Sequence, residues 1–318
     1  MATIPIALQP DPGERGLVSR EVTETVTRSL LAWDLFIEAA EQADLAGPSR
    51  SRRKRGLDIV LPLGVWPETR SLADVLDDAA AERYDEPVDL EAAEARTLAA
   101  RGSVSPEEAI AGLRRARDEL AAFAQSAGAL EAFGRVTSSP LGPLPVLTLL
   151  HAVAYQLAVS ALDLVPCGAK PSTDLLDAGV VALVDTTGAL AQRQGISGSI
   201  TAMIPSGAWG FGSTSHDWRT APVDVPEPAD GPPPGPAVRA TAEILLDITS
   251  GRVGNVAALW SQGDLVTHDL GGLMAFAPVV DQVPGIPGGT ALRAASRTIG
   301  GVGRILGSLG RLPRLPGL

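Results

Sequence analysis

The sequence predicts an α+β protein, with a bundle of amphipathic helices over residues 17–195, a small α/β unit over 196–285 and a basic tail over 286–318. Three observations carry that prediction. Val22, Val26, Leu30, Trp33 and Ile37 step by four, four, three and four, one stripe of a helix. Ser105, Pro106 and Glu108 form a helix start, with the serine as cap and the glutamate three residues on. After Gly195 the periodicity changes from helical to short alternating runs.

Taken in order, the first helix starts at Ser19 and is broken by Gly47 and Pro48. The segment GPSRSRRKRG, residues 47–56, is basic and reads as a solvated loop in preference to a phosphate site, the usual fate of short charge runs. Pro62 and Pro67 predict an irregular stretch before a helix over Ser71–Arg83, with Leu72, Val75, Leu76 and Ala79 inward. The helix capped by Ser105 turns Ile110, Leu113, Leu120 and Phe123 to the core. Leu144 to Leu162 carries no formal charge over 19 residues, long enough for a membrane span. Its polar residues His151, Tyr155, Gln156 and Ser160 and its amphipathic neighbours favour a central bundle helix instead. A last bundle helix runs from Ser172 to Arg193 and stops at Gly195.

Beyond that point Ser199–Ile204 and Trp209–Ser213, joined by Pro205-Ser206-Gly207, predict a hairpin, and a strand follows around Trp218–Val225. Residues 226–236 are a proline-rich loop. Ala240–Ser250 reads as a helix closed by Gly251, and Val256–Ser261 with Leu265–His268 as a strand pair about Gln262-Gly263. In the tail Leu292, Ala295, Ile299, Val302, Leu306 and Leu309 keep a helical step while Arg297, Arg304 and Arg311 fall on the opposite side. Five glycines between 300 and 310 weaken such a helix by about 1 kcal/mol each, so it needs a partner groove or an anionic membrane surface to order it.

Composition sets limits. In 318 residues, 45% are hydrophobic and 20% charged, which excludes wholesale disorder and a fibrous chain. The net charge of −11 argues against a nucleic-acid partner, although after Asp281 there are five arginines and no acid, so the body is more acidic than the average shows. Cys167 is the single cysteine, so an internal disulfide is impossible. It is expected to be an ordinary free thiol beyond a helix end, where it could be exposed. The amino terminus shows no secretory pattern, and the expected location is the cytoplasm, or the membrane surface if the tail docks there.

Catalytic chemistry has little to draw on. There are three histidines, His151, His216 and His268, none with a second metal ligand at local spacing. His151 sits on the most apolar helix, where a histidine is more often a hydrogen-bonded core residue than a ligand. Glycine-rich nucleotide loops and a nucleophile-elbow serine are absent.

A bundle whose last stretch reads AVSALDL (158–164), followed by GAWGFGSTS (207–215), AEILLDITSGRV (242–253) and LWSQGDLVTHDL (259–270), resembles the mycothiol-dependent maleylpyruvate isomerase family over residues 17–283. The resemblance implies a DinB-like four-helix bundle followed by a sterol carrier-like α/β domain. It also implies a divalent metal held by a histidine in a context like D-V-L-A-H-L and by a glutamate and a histidine in a context like E-x-x-x-H-x-W-D-L. In this sequence those positions are Pro62, Gln156 and Ser160, with Asp163 retained at the helix end. A proline, an amide and a hydroxyl bind a divalent ion weakly or not at all, so no metal or other cofactor is expected.

The expectation is therefore a family member without catalysis that binds an apolar small molecule or a protein partner. Trp209, Phe211, Leu245, Leu259 and Trp260, with Ile200, Met203, Ile244 and Ile248, would line a tunnel or fill a solid core. One alternative is a metal- and mycothiol-dependent isomerase or transferase with an unorthodox site on His151. A second is a peripheral membrane or scaffold protein acting through Arg297, Arg304 and Arg311.

Overall fold

The computed structural model describes residues 4–279, apart from 18–21, 52, 65–71, 83–89, 102, 140, 226–234, 254 and 277. Among these residues the protein is α+β, with eleven α-helices and a mixed six-stranded sheet. The helical layer contains α1 (Val22–Glu41), α2 (Gly56–Gly64), α3 (Leu72–Ala80), α4 (Leu90–Arg101), α5 (Pro106–Ala124), α6 (Ala129–Gly134), α7 (Val146–Asp163) and α8 (Thr173–Arg193). The α/β part adds α9 (Ala242–Thr249), α10 (Val256–Gln262) and α11 (Leu270–Met274). Its strands are β1 (Arg15–Leu17), β4 (Gly198–Ile204), β5 (Gly207–Ser213), β6 (Trp218–Pro222), β7 (Ala237–Arg239) and β8 (Val266–His268), while β2 (Val136–Thr137) and β3 (Leu144–Pro145) pair separately. The tail with Arg297, Arg304 and Arg311 lies outside the described residues.

Helix starts follow local chemistry. Ser105 accepts from the Glu108 amide at 3.2 Å and its own amide donates to the Glu108 carboxylate at 3.0 Å, the reciprocal capping box the sequence predicts. Ser172 caps α8 by accepting from Leu175 N at 3.2 Å. The stripe predicted for α1 is rotated in its first half: Thr25 and Ser29 are buried while Val22, Val26 and Leu30 are half-buried. Ser29 tolerates burial because its hydroxyl donates to Thr25 O at 2.9 Å within the same helix.

Two sequence expectations need correction. The stretch around Pro62 is not irregular: it is helix α2, in which Leu57, Ile59, Val60, Leu61 and Leu63 are buried, and that burial outweighs the hydrogen bond the proline removes. The segment Val256–Ser261 is not a strand. Asn255 accepts from Ala258 N at 3.1 Å and Gly263 ends the turn with φ 83°, so a capped helix wins over β-propensity, and β8 pairs with β7 instead. Helices α4 and α6 and strands β1 and β7 went unrecognised in the sequence, α4 because its apolar residues form no clear stripe and the strands because they are three residues long.

Helix α8 is the organising element. It packs along α7 on one side and against β5, β6 and β1 on the other, so the bundle and the sheet share one continuous core. At Gly188 an added Cβ would lie 2.8 Å from Trp218 Cδ1 and 3.1 Å from Phe211 Cβ, which is why the sheet can approach the helix this closely. Helix α7 is long and apolar enough to cross a membrane by length and composition, yet 61% of it is buried here between α1 and α8. The sheet runs β1-β6-β5-β4-β7-β8, with β1∥β6 and β4∥β7 and the remaining pairs antiparallel. Its second face carries a separate small core of Leu8, Met203, Ala208, Ala221, Val223 and Ala237, sealed by the amino-terminal segment.

Candidate functional site

One buried polar cluster is centred on α8. Asp185 is buried, and its carboxylate accepts from Trp218 Nε1 at 3.2 Å and Thr220 Oγ1 at 3.1 Å while its second oxygen lies 3.1 Å from His151 Nδ1. Helix α7 supplies the histidine and strand β6 the other two, so the cluster sits where bundle meets sheet. His151 is 1% exposed. A carboxylate orienting an imidazole is the arrangement that activates a general base, but a base must also be reached by substrate, and this ring is almost wholly enclosed.

A second polar cluster lies at the carboxyl end of α7. The buried Asp163 carboxylate is held bidentately by Arg252, with Nε donating to Oδ1 at 2.7 Å and Nη2 to Oδ2, and Arg50 Nε stands 3.5 Å from Oδ1. Arg50 in turn donates to both oxygens of Asp247 at 2.9 and 2.6 Å. Its backbone amide donates to Asp163 O at 2.8 Å. Two cations and two anions thus alternate across the contact between α7, the 49–55 loop and α9. Burial works against charge on Arg252, and the Asp163 carboxylate outweighs it and holds the guanidinium above its ordinary range. Tyr155, one helical turn before Val159, donates to Thr249 Oγ1 at 3.2 Å, and burial pushes its phenol up to about 12.

These contacts revise the reading of the 47–56 segment. It is a loop, but three of its charges are paired: Arg50 with Asp247 and Asp163, Lys54 with Glu94 and Arg55 with Asp58. Cys167 is also not exposed. It is buried with Sγ 3.4 Å from Pro48 O, and burial pushes its thiol up, away from the reactive thiolate.

The positions singled out for a metal are spread over different environments. Pro62 is half-buried inside α2, Gln156 is exposed on α7 and Ser160 is half-buried one turn further on. Gln156, Ser160 and Asp163 fall on one side of α7 by their spacing, with the two guanidinium groups at the Asp163 end. A divalent cation does not fit that donor set, because it offers no imidazole or uncommitted carboxylate and lies beside two positive charges. Among the described residues no group of three or more His, Cys, Asp or Glu converges as a metal site would require.

The apolar set divides. Phe211 and Leu245 are buried, and Phe211 meets Phe276 edge to face at 5.5 Å. Trp209, two residues along the same face of β5, is half-buried under Arg28 of α1, 4.9 Å from the ring centre. Leu259 is half-buried and Trp260 is 41% exposed on α10. Met203 does not belong with them: the two-residue period of β4 points it to the opposite face, beside Leu8. Sequence reasoning missed Asp185, whose role depends on Trp218 and Thr220 more than 30 residues away, and Arg50 and Arg252, whose partners are equally remote.

No protein-family model matches this chain, and no curated protein matches it. Two solved structures are similar, the mycothiol-dependent maleylpyruvate isomerase and a mutant of it, each 13% identical with a TM-score of 0.49 over 79% of this chain and 94% of the other. At that identity the likeness is one of fold alone and is silent on chemistry.

Proposed function

We propose that this chain is a non-catalytic binding protein, a DinB-like bundle joined to a sterol carrier-like unit as in maleylpyruvate isomerases, that takes an apolar small molecule between α9, α10 and the helical layer. The observation that supports it is the commitment of the two buried carboxylates Asp185 and Asp163. Asp185 is filled by three side-chain partners, and Asp163 is neutralised by Arg50 and Arg252. Each carboxylate therefore works as a structural tie and none stands ready as a base or a ligand. Trp209, Ile244, Ile248, Leu259 and Trp260 are apolar side chains left incompletely packed. Such surface is recognised by shape and burial, at about 25 cal/mol per Å² removed from water.

The test is to purify the protein without chelator or metal-binding tag, measure metal content, and extract it with organic solvent for mass spectrometry. Less than about 0.1 equivalent of transition metal, together with a co-purifying apolar compound or saturable binding of cis-parinaric acid, is the expected result. Stoichiometric metal would overturn it in favour of a metal- and mycothiol-dependent isomerase or transferase. That second reading has one observation on its side, the 3.1 Å approach of Asp185 to His151, and it requires that His151→Ala remove the metal.

A further inference from the structure

Residues 4–17 meet the rest of the molecule as a bound peptide would. Pro5, Pro10 and Pro12 each fix a backbone angle, and this amino-terminal arm turns on itself, with Leu8 N donating to Pro5 O and Glu14 N to Asp11 O, both at 2.9 Å. Among the described residues, its hydrogen bonds and ion pairs beyond itself all end on Asp217 and β6. Gly13 N donates to Asp217 Oδ1 at 3.0 Å, and Trp218 N donates to Glu14 O at 3.2 Å. Arg219 Nη1 stands 3.5 Å from the Glu14 carboxylate and 3.6 Å from that of Asp11. Strand β1 then extends the sheet in parallel along the edge of β6. Leu8 is wholly buried in a seat shaped by two glycines: a Cβ at Gly210 would lie 2.8 Å from Leu8 Cδ1, and one at Gly212 would lie 2.1 Å from Leu8 O and 2.7 Å from Ile4 Cγ2. The arm's extended contacts run to β5, β6 and α8, and it makes none of comparable extent with α1, the helix that follows it in sequence.

We propose that the β6 edge and the outer face of β5 form a peptide-docking site, and that its occupant in an assembly is residues 4–17 of a second copy, exchanged arm for arm. Arm and seat consist wholly of described residues. Adding a strand to a sheet edge, with one side chain anchored in a pocket, is a recurrent mode of peptide recognition. The seat also matches the arm in charge, one guanidinium facing two carboxylates. A second copy is favoured over a foreign peptide for a physical reason. An exchanged arm regains in trans the contacts it gives up in cis, so the cost is mainly that of association. Another sequence must also beat the high effective concentration of the tethered arm. Gly13 and Asp217 are 204 residues apart, so synthesis finishes the arm long before its seat, and two neighbouring nascent chains can exchange before either closes.

The test uses the full chain and two full-length variants. Refolded from denaturant at rising concentration, the wild-type chain should give a homodimer by native mass spectrometry. A chain that stays monomeric throughout overturns the exchange, whatever the variants do. Gly212→Ala blocks the seat but spares the arm, because the atoms nearest the added methyl all belong to the arm. Leu8→Ala empties the anchor but spares the seat. Each variant alone should be mainly monomeric, whereas the two refolded together should give at least about tenfold more dimer, of 1:1 composition, because one sound arm then meets one sound seat. A homodimer that Gly212→Ala retains overturns the proposal, since it must use another surface. A labelled peptide of residues 4–17 should bind Leu8→Ala saturably and the Leu8→Ala/Gly212→Ala chain at least about tenfold more weakly. Peptide binding without the mixed dimer overturns the second copy as occupant and gives the seat to a foreign peptide. Absence of peptide binding overturns the site itself.

Discussion

Where α8 meets β6, one carboxylate is enclosed by an imidazole, an indole and a hydroxyl, whereas where α7 meets α9 two arginines and two aspartates alternate at the edge of solvent. The first seam is buried, with both oxygens of the Asp185 carboxylate engaged. The second leaves Arg50 and Arg252 about a quarter exposed and so keeps contact with salt and water. The difference teaches that this molecule separates permanence from adjustability. The sheet is tied to the bundle through Asp185, whereas α7, the 49–55 loop and α9 are joined through charges that salt can screen.

Asp185→Ala should break the comparison most severely. It strips the partner from His151, Trp218 and Thr220 together, and a loss of about 3–5 kcal/mol is expected in denaturant unfolding. A loss below about 1 kcal/mol would mean the first seam is not the anchor. Next comes alkaline titration of the second seam. Because the phenol of Tyr155 is held at about 12 in the fold against about 10 when unfolded, its contribution is full below pH 10 and drains away between pH 10 and 12. The drop is about 2–3 kcal/mol, read as a fall in unfolding midpoint that Tyr155→Phe abolishes. Gly188→Ala should cost about 1–3 kcal/mol by pressing on Trp218 and Phe211, and the near-ultraviolet signal of Trp218 should change with it.

Smaller effects sharpen the contrast. Arg50→Gln should lower stability by about 1 kcal/mol at low ionic strength and by less in high salt, while the Asp185→Ala deficit should stay constant across the same salt series. Ser105→Ala, remote from both seams, should cost about 1 kcal/mol through the lost capping box and leave every other readout alone.

Much of the helical layer was legible in the sequence because its signals are local. The cap at Ser105, the helix start at Ser172 and the apolar stripe of α5 each lie within a few residues of what they determine. The hairpin of β4 and β5 was legible for the same reason, its two-residue turn at Pro205-Ser206 being flanked by alternating strands. The candidate site was not, because its partners are remote: His151 and Asp185 are 34 residues apart and Arg50 and Asp247 are 197. A charge in a basic run looks alike whether it faces water or an aspartate from another element, and no periodicity distinguishes the two. The misread α10 is instructive in a different way. Val256, Leu259 and Trp260 favour a strand on propensity, and the cap at Asn255 together with Gly263 decided for helix.

Strand β1 pairs in parallel with β6, matching Arg15 to Trp218, so residues near the amino terminus complete a sheet whose other strands are all encoded after residue 197. During synthesis the helical layer can assemble while the sheet-facing side of α8 around Gly188 is still bare. The early segment carrying Leu8 and β1 must wait untethered for some 200 residues of chain to emerge. Closing so long a loop is entropically slow, and the exposed flank of α8 is the surface that a chaperone, or a second nascent copy, meets first.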